Sequence, residues 1–258
     1  MPANSGQSDF RHSRHVQASG TARRYAVDMT DPISNAPDYV PPLGRPALTR
    51  HYDRMIALMT REGRWRSELM RRIPPRPGLQ IVDVGCGTGT LAVAIKQRHP
   101  ECTVMAVDPD APALALAREK AARAGVAIQW HQAMGDRIGA LVEDGGCDVI
   151  LSSLVFHQCA LGVKQADAHA MYRALAPGGL LLVADYGMQR TFLMRTLFRQ
   201  VQMLDGFDKT EPNATGCMPG IFAAAGFEGI DESKVIRTPT GSISIYQAQK
   251  PSRFPAPA

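Results

Sequence analysis

Ile81-Val82-Asp83-Val84-Gly85-Cys86-Gly87-Thr88-Gly89-Thr90 passes from an apolar, strand-like run into a glycine-rich turn and then into a helical pattern that ends near His99-Pro100. Glycines in such a turn let a ligand approach bare backbone and the N-terminus of the following helix. Outward from this stretch the same alternation repeats. Gln80–Val84 reads as a buried strand and Thr90–Arg98 as a helix. Residues 103–107 read as a second strand, and Ala111–Ala124 as an alanine-rich helix with Gly125 at its C-terminal stop. Residues 126–131 give a third strand. Residues 148–155 give a fourth, apolar nearly throughout, as expected of a central strand covered on both faces. A helix over 164–175 stops at Pro177-Gly178-Gly179, and a fifth strand follows over 180–185. After a helix ending at Gly226, two further strands are expected near 229–236 and 242–248. The pattern implies an α/β, Rossmann-like doubly wound fold: a mostly parallel seven-stranded sheet with helices on both faces.

The rest of the chain frames this domain. Residues 1–45 are rich in Ser, Gly, Pro, Arg and Asn, lack apolar periodicity, and read as a flexible tail. Residues 46–76 read as a helical lid or cap. Leu48, Tyr52, Met55, Ile56 and Met59 keep a 3.6-residue period, Gly63 is expected to break it, and Trp65, Leu69, Met70 and Ile73 continue a second helix to Pro74-Pro75. The opposite face of this pair carries arginines, among them Arg61, Arg64, Arg71 and Arg72. The main ligand-binding domain is expected over 77–250, with a C-terminal tail over 251–258.

Charge divides along the same line. The 258 residues carry a formal charge of +5. Residues 1–76 hold thirteen arginines against seven acids, whereas residues 77–258 are nearly neutral. A neutral body argues against a nucleic-acid groove built into the main fold. The basic N-terminal third leaves room for a weak contact with an anionic surface. The near-apolar runs are far shorter than the ~20 residues a membrane span needs. Five cysteines, an odd number without a C-x-x-C, read as reduced thiols in a cytoplasmic protein, and no spacing supports a metal site.

The glycine turn discriminates between ligands. A dinucleotide fingerprint places glycines at its first, third and sixth positions. Here they fall at the first, third and fifth, and the sixth is Thr90. Asp83, two residues before Gly85, would repel a pyrophosphate and attract an ammonium group. Asp108 ends the second strand 19 residues after Gly89, at a distance suited to ribose hydroxyls. The expected ligand is a nucleoside with a cationic end and no phosphate.

Several segments then resemble, in order, the class I S-adenosylmethionine-dependent methyltransferases. They are Val82 to Gly89, Val104 to Asp110, Gln132 to Asp136, Cys147 to His157, and the Leu-x-Pro-Gly-Gly approach of Leu175 to Asp185. Within that class the chain is most similar to the small-molecule branch that includes quinone C-methyltransferases. The resemblance implies S-adenosyl-L-methionine as cofactor, held by Asp83, Gly85, Cys86, Gly87, Gly89, Asp108 and Pro109. It further implies Met134 beside adenine, and Ser152 and Leu154 near the sulfonium. Met134 stands where the family often has an acid, with Asp136 two residues on.

Methyl transfer from a sulfonium is an in-line displacement, so a base matters only where the acceptor must lose a proton. His157, just past the fourth strand, is the candidate catalytic base; the alternative is a histidine that only holds its loop. Tyr52, Tyr186 and Asp185 are expected to border the acceptor. Gln200, Asp205, Gly206 and Phe207 lie where this family builds its acceptor pocket. The expected partner is a small-molecule acceptor, with no nucleic acid. The alternatives are a non-catalytic cofactor-binding protein, a nucleic-acid methyltransferase, and an arsenite methyltransferase suggested by Cys159 and Cys217.

Overall fold

A computed structural model describes residues 58–252. The expected tail over 1–45, the first cap helix with Tyr52, and most of the C-terminal tail lie outside the described residues. The elements run α1 (Glu62–Arg72), β1 (Gln80–Val84), α2 (Thr90–Arg98), β2 (Thr103–Asp108), α3 (Ala111–Ala124), β3 (Gln129–Gln132) and β4 (Cys147–Ser153). They continue with α4 (Leu161–Ala174), β5 (Leu175–Tyr186), α5 (Phe192–Asp205), α6 (Phe207–Thr215), α7 (Met218–Ala225), β6 (Glu228–Thr238) and β7 (Gly241–Gln249). Two 3₁₀ turns, Gly135–Ala140 and Phe156–Gln158, follow β3 and β4.

The strands form one seven-stranded sheet in the order β3-β2-β1-β4-β5-β7-β6. Strands β1 to β5 are parallel, and β7 runs antiparallel between β5 and β6. The chain winds outward in opposite directions from β1 and β4, which makes their carboxyl ends the topological switch point where ligands of such sheets bind. Alternation along the strands supplies two cores. Ile81, Leu151, Leu182 and Ala184 face one side, with Trp65 and Leu69 of α1, Leu91 and Ile95 of α2, and Phe198 of α5. Val82, Val84, Ile150 and Val183 face the other, with Met171 of α4 and Phe222 of α7.

Several boundaries differ from expectation. The break before α1 falls at Arg61, whose φ is 53°, and Gly63 lies inside the first turn of the helix. β3 is shorter than its apolar run. β5 begins at Leu175, because the Pro-Gly-Gly stretch, expected as the helix stop, is carried within the strand as an irregularity with Gly178 at φ 78°, and the pairing with β4 shifts register between Cys147 and Val149. Among the described residues no helix is long and apolar enough to cross a membrane.

Candidate cofactor and acceptor site

The glycine turn is stitched to the end of β2. Gly85 N and Cys86 N both donate to Val107 O, at 2.8 and 3.1 Å. Gly87 N donates to Asp108 Oδ2 at 2.7 Å, and Asp110 N donates to Asp108 Oδ1 at 2.9 Å. Asp108 therefore holds the loop as well as facing it. Gly85 has φ 72°, and a Cβ there would meet Val155 Cγ2 at 2.2 Å. Gly89 caps α2 at φ 70°, and a Cβ there would meet the Trp130 ring at 2.5 Å. Gly87 has open space around it, so the middle of the turn is the part a ligand can approach.

Beneath the turn, Asp83 is fully buried and neither carboxylate oxygen has a hydrogen-bond partner. Burial pushes its carboxyl up to about 7, although the nearby Arg66 guanidinium pulls the other way. An ionised carboxylate without hydrogen bonds is costly in a protein interior, so these oxygens suit a cationic partner. The indole Nε1 of Trp65 is also buried without a partner. Trp65 and Arg66 come from α1, where Arg66 pairs with Glu62 and lies over the Trp65 ring. The sequence places Trp65 on the apolar stripe of this helix, but does not single out Arg66 or give either residue a role in the site. Their signal, an aromatic and a cation one turn after the helix start, is too generic to stand out.

Pro109 O accepts from Gln132 Nε2 at 3.1 Å, which fixes the β2 end beside the Met134 loop. Met134 caps the first 3₁₀ turn and is half-buried. That turn is seated by Asp167 of α4, another residue sequence reasoning missed. A Cβ on Gly135 would meet Asp167 Oδ1 at 2.7 Å, and burial pushes the Asp167 carboxyl up to about 7. Leu154 leaves β4 with φ 56°, a conformation that strains a leucine, and its N–H donates to Ala184 O at 2.9 Å. Ser152 does not join Asp83. It pairs in register with Val84 and so points to the other face of the sheet, where its buried hydroxyl has no partner.

His157 lies between two carboxylates. Its Nδ1 lies 2.8 Å from Asp185 Oδ1, and its Nε2 lies 3.5 Å from Asp205 Oδ2. Burial alone would lower the imidazole, but the two carboxylates outweigh it and hold the ring up at about 9. An imidazolium has no lone pair with which to take a proton, and the clamp suits the expected alternative, a histidine that holds its loop. Asp185 completes the clamp, accepting from Val155 N at 2.9 Å, Phe156 N at 2.8 Å and Tyr186 N at 2.7 Å. Lys164, fully buried, donates to Phe156 O and to Lys209 O at 3.0 Å, tying the same turn to α6. Tyr186 is buried, with its hydroxyl 2.7 Å from Thr240 Oγ1. Of the acceptor residues expected after β5, only Asp205 reaches His157. Gly206 joins α5 to α6, Phe207 is exposed, and Gln200 turns away to bond Pro239 O at 3.4 Å. The thiols of Cys159 and Cys217 are held up by burial, Cys159 at about 12.

Residues 81–179 match the family described as "Methyltransferase domain". That segment, about two fifths of the chain, is similar to methyltransferase domains. A demethylmenaquinone methyltransferase of Thermus thermophilus is 32% identical over 123 residues, which cover 48% of this chain and 54% of that protein. The chain thus spans about half the length of this curated relative. An O-methyltransferase family protein of Burkholderia thailandensis superposes with a TM-score of 0.64 at 19% identity, over 80% of this chain and 61% of that one. A phosphoethanolamine N-methyltransferase of Haemonchus contortus, solved with S-adenosylhomocysteine, gives 0.57 at 17% identity over 71% and 51%. These structures share the class I methyltransferase fold.

Proposed function

We propose that the methyltransferase domain uses S-adenosyl-L-methionine to methylate a small organic acceptor. The observation that carries the reading is Asp83, a buried carboxylate with two unsatisfied oxygens at the carboxyl end of β1. Its charge suits the cofactor's ammonium, and Arg66 brings a positive charge to the same end for the carboxylate. The backbone of Gly85 to Gly89, with Cys86, forms the floor. Asp108, whose oxygens keep free lone pairs beyond their two backbone bonds, takes the ribose hydroxyls. Pro109 and Met134 flank the adenine, and Leu154 lies toward the methyl. Bound there, the cofactor supplies a methyl group on a sulfonium leaving group, so the chain contributes position and desolvation.

His157 acts as a positioning residue. As an imidazolium between Asp185 and Asp205 it fixes the turn after β4 against α5, which sets the edge of the acceptor site. The acceptor itself must then be nucleophilic without help from this ring. A lipophilic acceptor such as a quinol is the favoured class, on the name of the Thermus relative and the exposed apolar Met188 and Phe207 near this edge. The reduced thiols favour a cytoplasmic setting. Calorimetry with S-adenosylmethionine, S-adenosylhomocysteine and NAD, followed by transfer of labelled methyl to a quinol, tests the reading. Binding of NAD alone would overturn it; cofactor binding with no transfer to any small acceptor would leave a non-catalytic binding protein.

A further inference from the structure

A surface helix ordinarily buries one apolar stripe and shows polar residues to water. α5 buries Met194, Phe198 and Val201, yet its outer face carries Phe192, Leu193, Met203 and Leu204, exposed by 88, 65, 80 and 78%. At about 100° per residue, these four fall with Thr196, Arg199 and Gln200 inside one arc of about 140°. Single exposed apolar residues are ordinary, but four large ones on one helical face are not.

Arginines accompany this arc. Arg199 stands at one edge. From inside it, the bond of Gln200 to Pro239 O brings the turn between β6 and β7 alongside, with Arg237 two residues before Pro239. Arg237 lines a groove of about 690 Å3 between α1 and β6, together with Arg61, Arg64, Arg71 and Lys234. Arg71 and Lys234 pair with Glu68. Arg61, Arg64, Arg199 and Arg237 form no ion pair among the described residues.

We propose that this composite face docks on an anionic lipid bilayer, with the apolar residues of α5 at the acyl boundary and the four arginines against headgroup phosphates. A second copy of the chain would cover the apolar residues but would press unpaired arginines toward one another. An anionic bilayer satisfies both, since it offers hydrocarbon beneath a negative surface. The inference stands apart from the methyl-transfer reading, because it uses no residue of the cofactor or acceptor site.

The test is co-sedimentation of the full chain with vesicles of phosphatidylcholine mixed with phosphatidylglycerol, and with phosphatidylcholine alone. Binding to the mixed vesicles is expected to be at least about tenfold tighter. Met203→Ser/Leu204→Ser and Arg199→Glu/Arg237→Glu should each weaken it by at least about tenfold, with thermal unfolding midpoints close to the parent's. Absence of vesicle binding, or binding by both variants as tight as the parent's, overturns the proposal. So does sedimentation velocity showing a dimer that Met203→Ser/Leu204→Ser converts to monomer, which would assign the face to a second copy.

Discussion

The imidazole of His157 and the carboxylate of Asp185 lie 2.8 Å apart, both buried, in a turn whose backbone amides the same carboxylate also accepts. The pair ties the end of β4 to the end of β5, the two strands that flank the acceptor side of the switch point. With Asp205 on the other ring nitrogen, the histidine is a charged crosslink.

That crosslink predicts a pH dependence. The ring is held at about 9 in the fold, against an ordinary value near 6.5. A raised cation stabilises fully below about pH 6.5, and its contribution is lost as pH rises through about 9. The contribution is on the order of 3 kcal/mol. Thermal unfolding midpoints should fall across that window, and His157→Gln should flatten the fall while lowering stability near neutrality. Cofactor affinity and rate should drop together in this variant. A loss of rate alone, with parental stability and binding, would restore the base role.

Asp83 predicts proton linkage on binding. Its carboxyl is held near 7 in the free protein by burial and must ionise to meet an ammonium. Binding of S-adenosylhomocysteine just below neutral pH should therefore release up to about one proton. The apparent affinity should fall as pH drops below 7. Calorimetric heats measured in buffers of different ionisation enthalpy read this release directly. Asp83→Asn should abolish it and weaken binding at least about tenfold at pH 8. Heats that do not depend on the buffer would remove Asp83 from the ammonium site.

What was legible in the sequence follows physical lines. Strands β1, β2 and β4 announce themselves because both faces are buried, so their residues are mostly apolar. The glycine turn is legible because three positive φ angles, at Gly85, Gly87 and Gly89, leave few alternatives. Helix α5 was not legible. With Phe192 and Met203 outside and Phe198 inside, its apolar residues surround the axis and blur the helical period. Pro212 inside α6 hid the next helix in the same way. In the site, Asp83 and Asp108 carry their role in their spacing from the glycines. The clamp on His157 does not, because Asp185 and Asp205 meet it only through the sheet and α5.

Asp108 has two tasks, and its substitution should show both. Asp108→Ala removes the ribose acceptor and orphans the amides of Gly87 and Asp110. Each lost acceptor for a buried donor costs about 1–3 kcal/mol. The variant should fold with a clearly lower unfolding midpoint, and bind S-adenosylhomocysteine at least about tenfold more weakly. Asp108→Asn retains one acceptor oxygen and should recover part of the stability but less of the affinity. Parental affinity in a folded Asp108→Ala protein would place the ribose elsewhere.

Leu154 offers a test that burial alone cannot imitate. Its side chain packs against the core that holds Trp65 and Leu151, so truncation should follow the lost apolar area, and valine should be milder than alanine. Its backbone argues the reverse. At φ 56° a leucine carries strain of about 1 kcal/mol, and a β-branched side chain there is a genuine outlier. Valine should therefore destabilise more than alanine, and glycine, which adopts this conformation freely, should be the mildest of the three. Chemical denaturation of the three variants gives the order. If it runs valine, alanine, glycine from mildest to most severe, packing governs the position. If it runs glycine, alanine, valine, the left-handed turn governs it, and the chain holds a strained residue where the strand hands over to the clamped histidine loop.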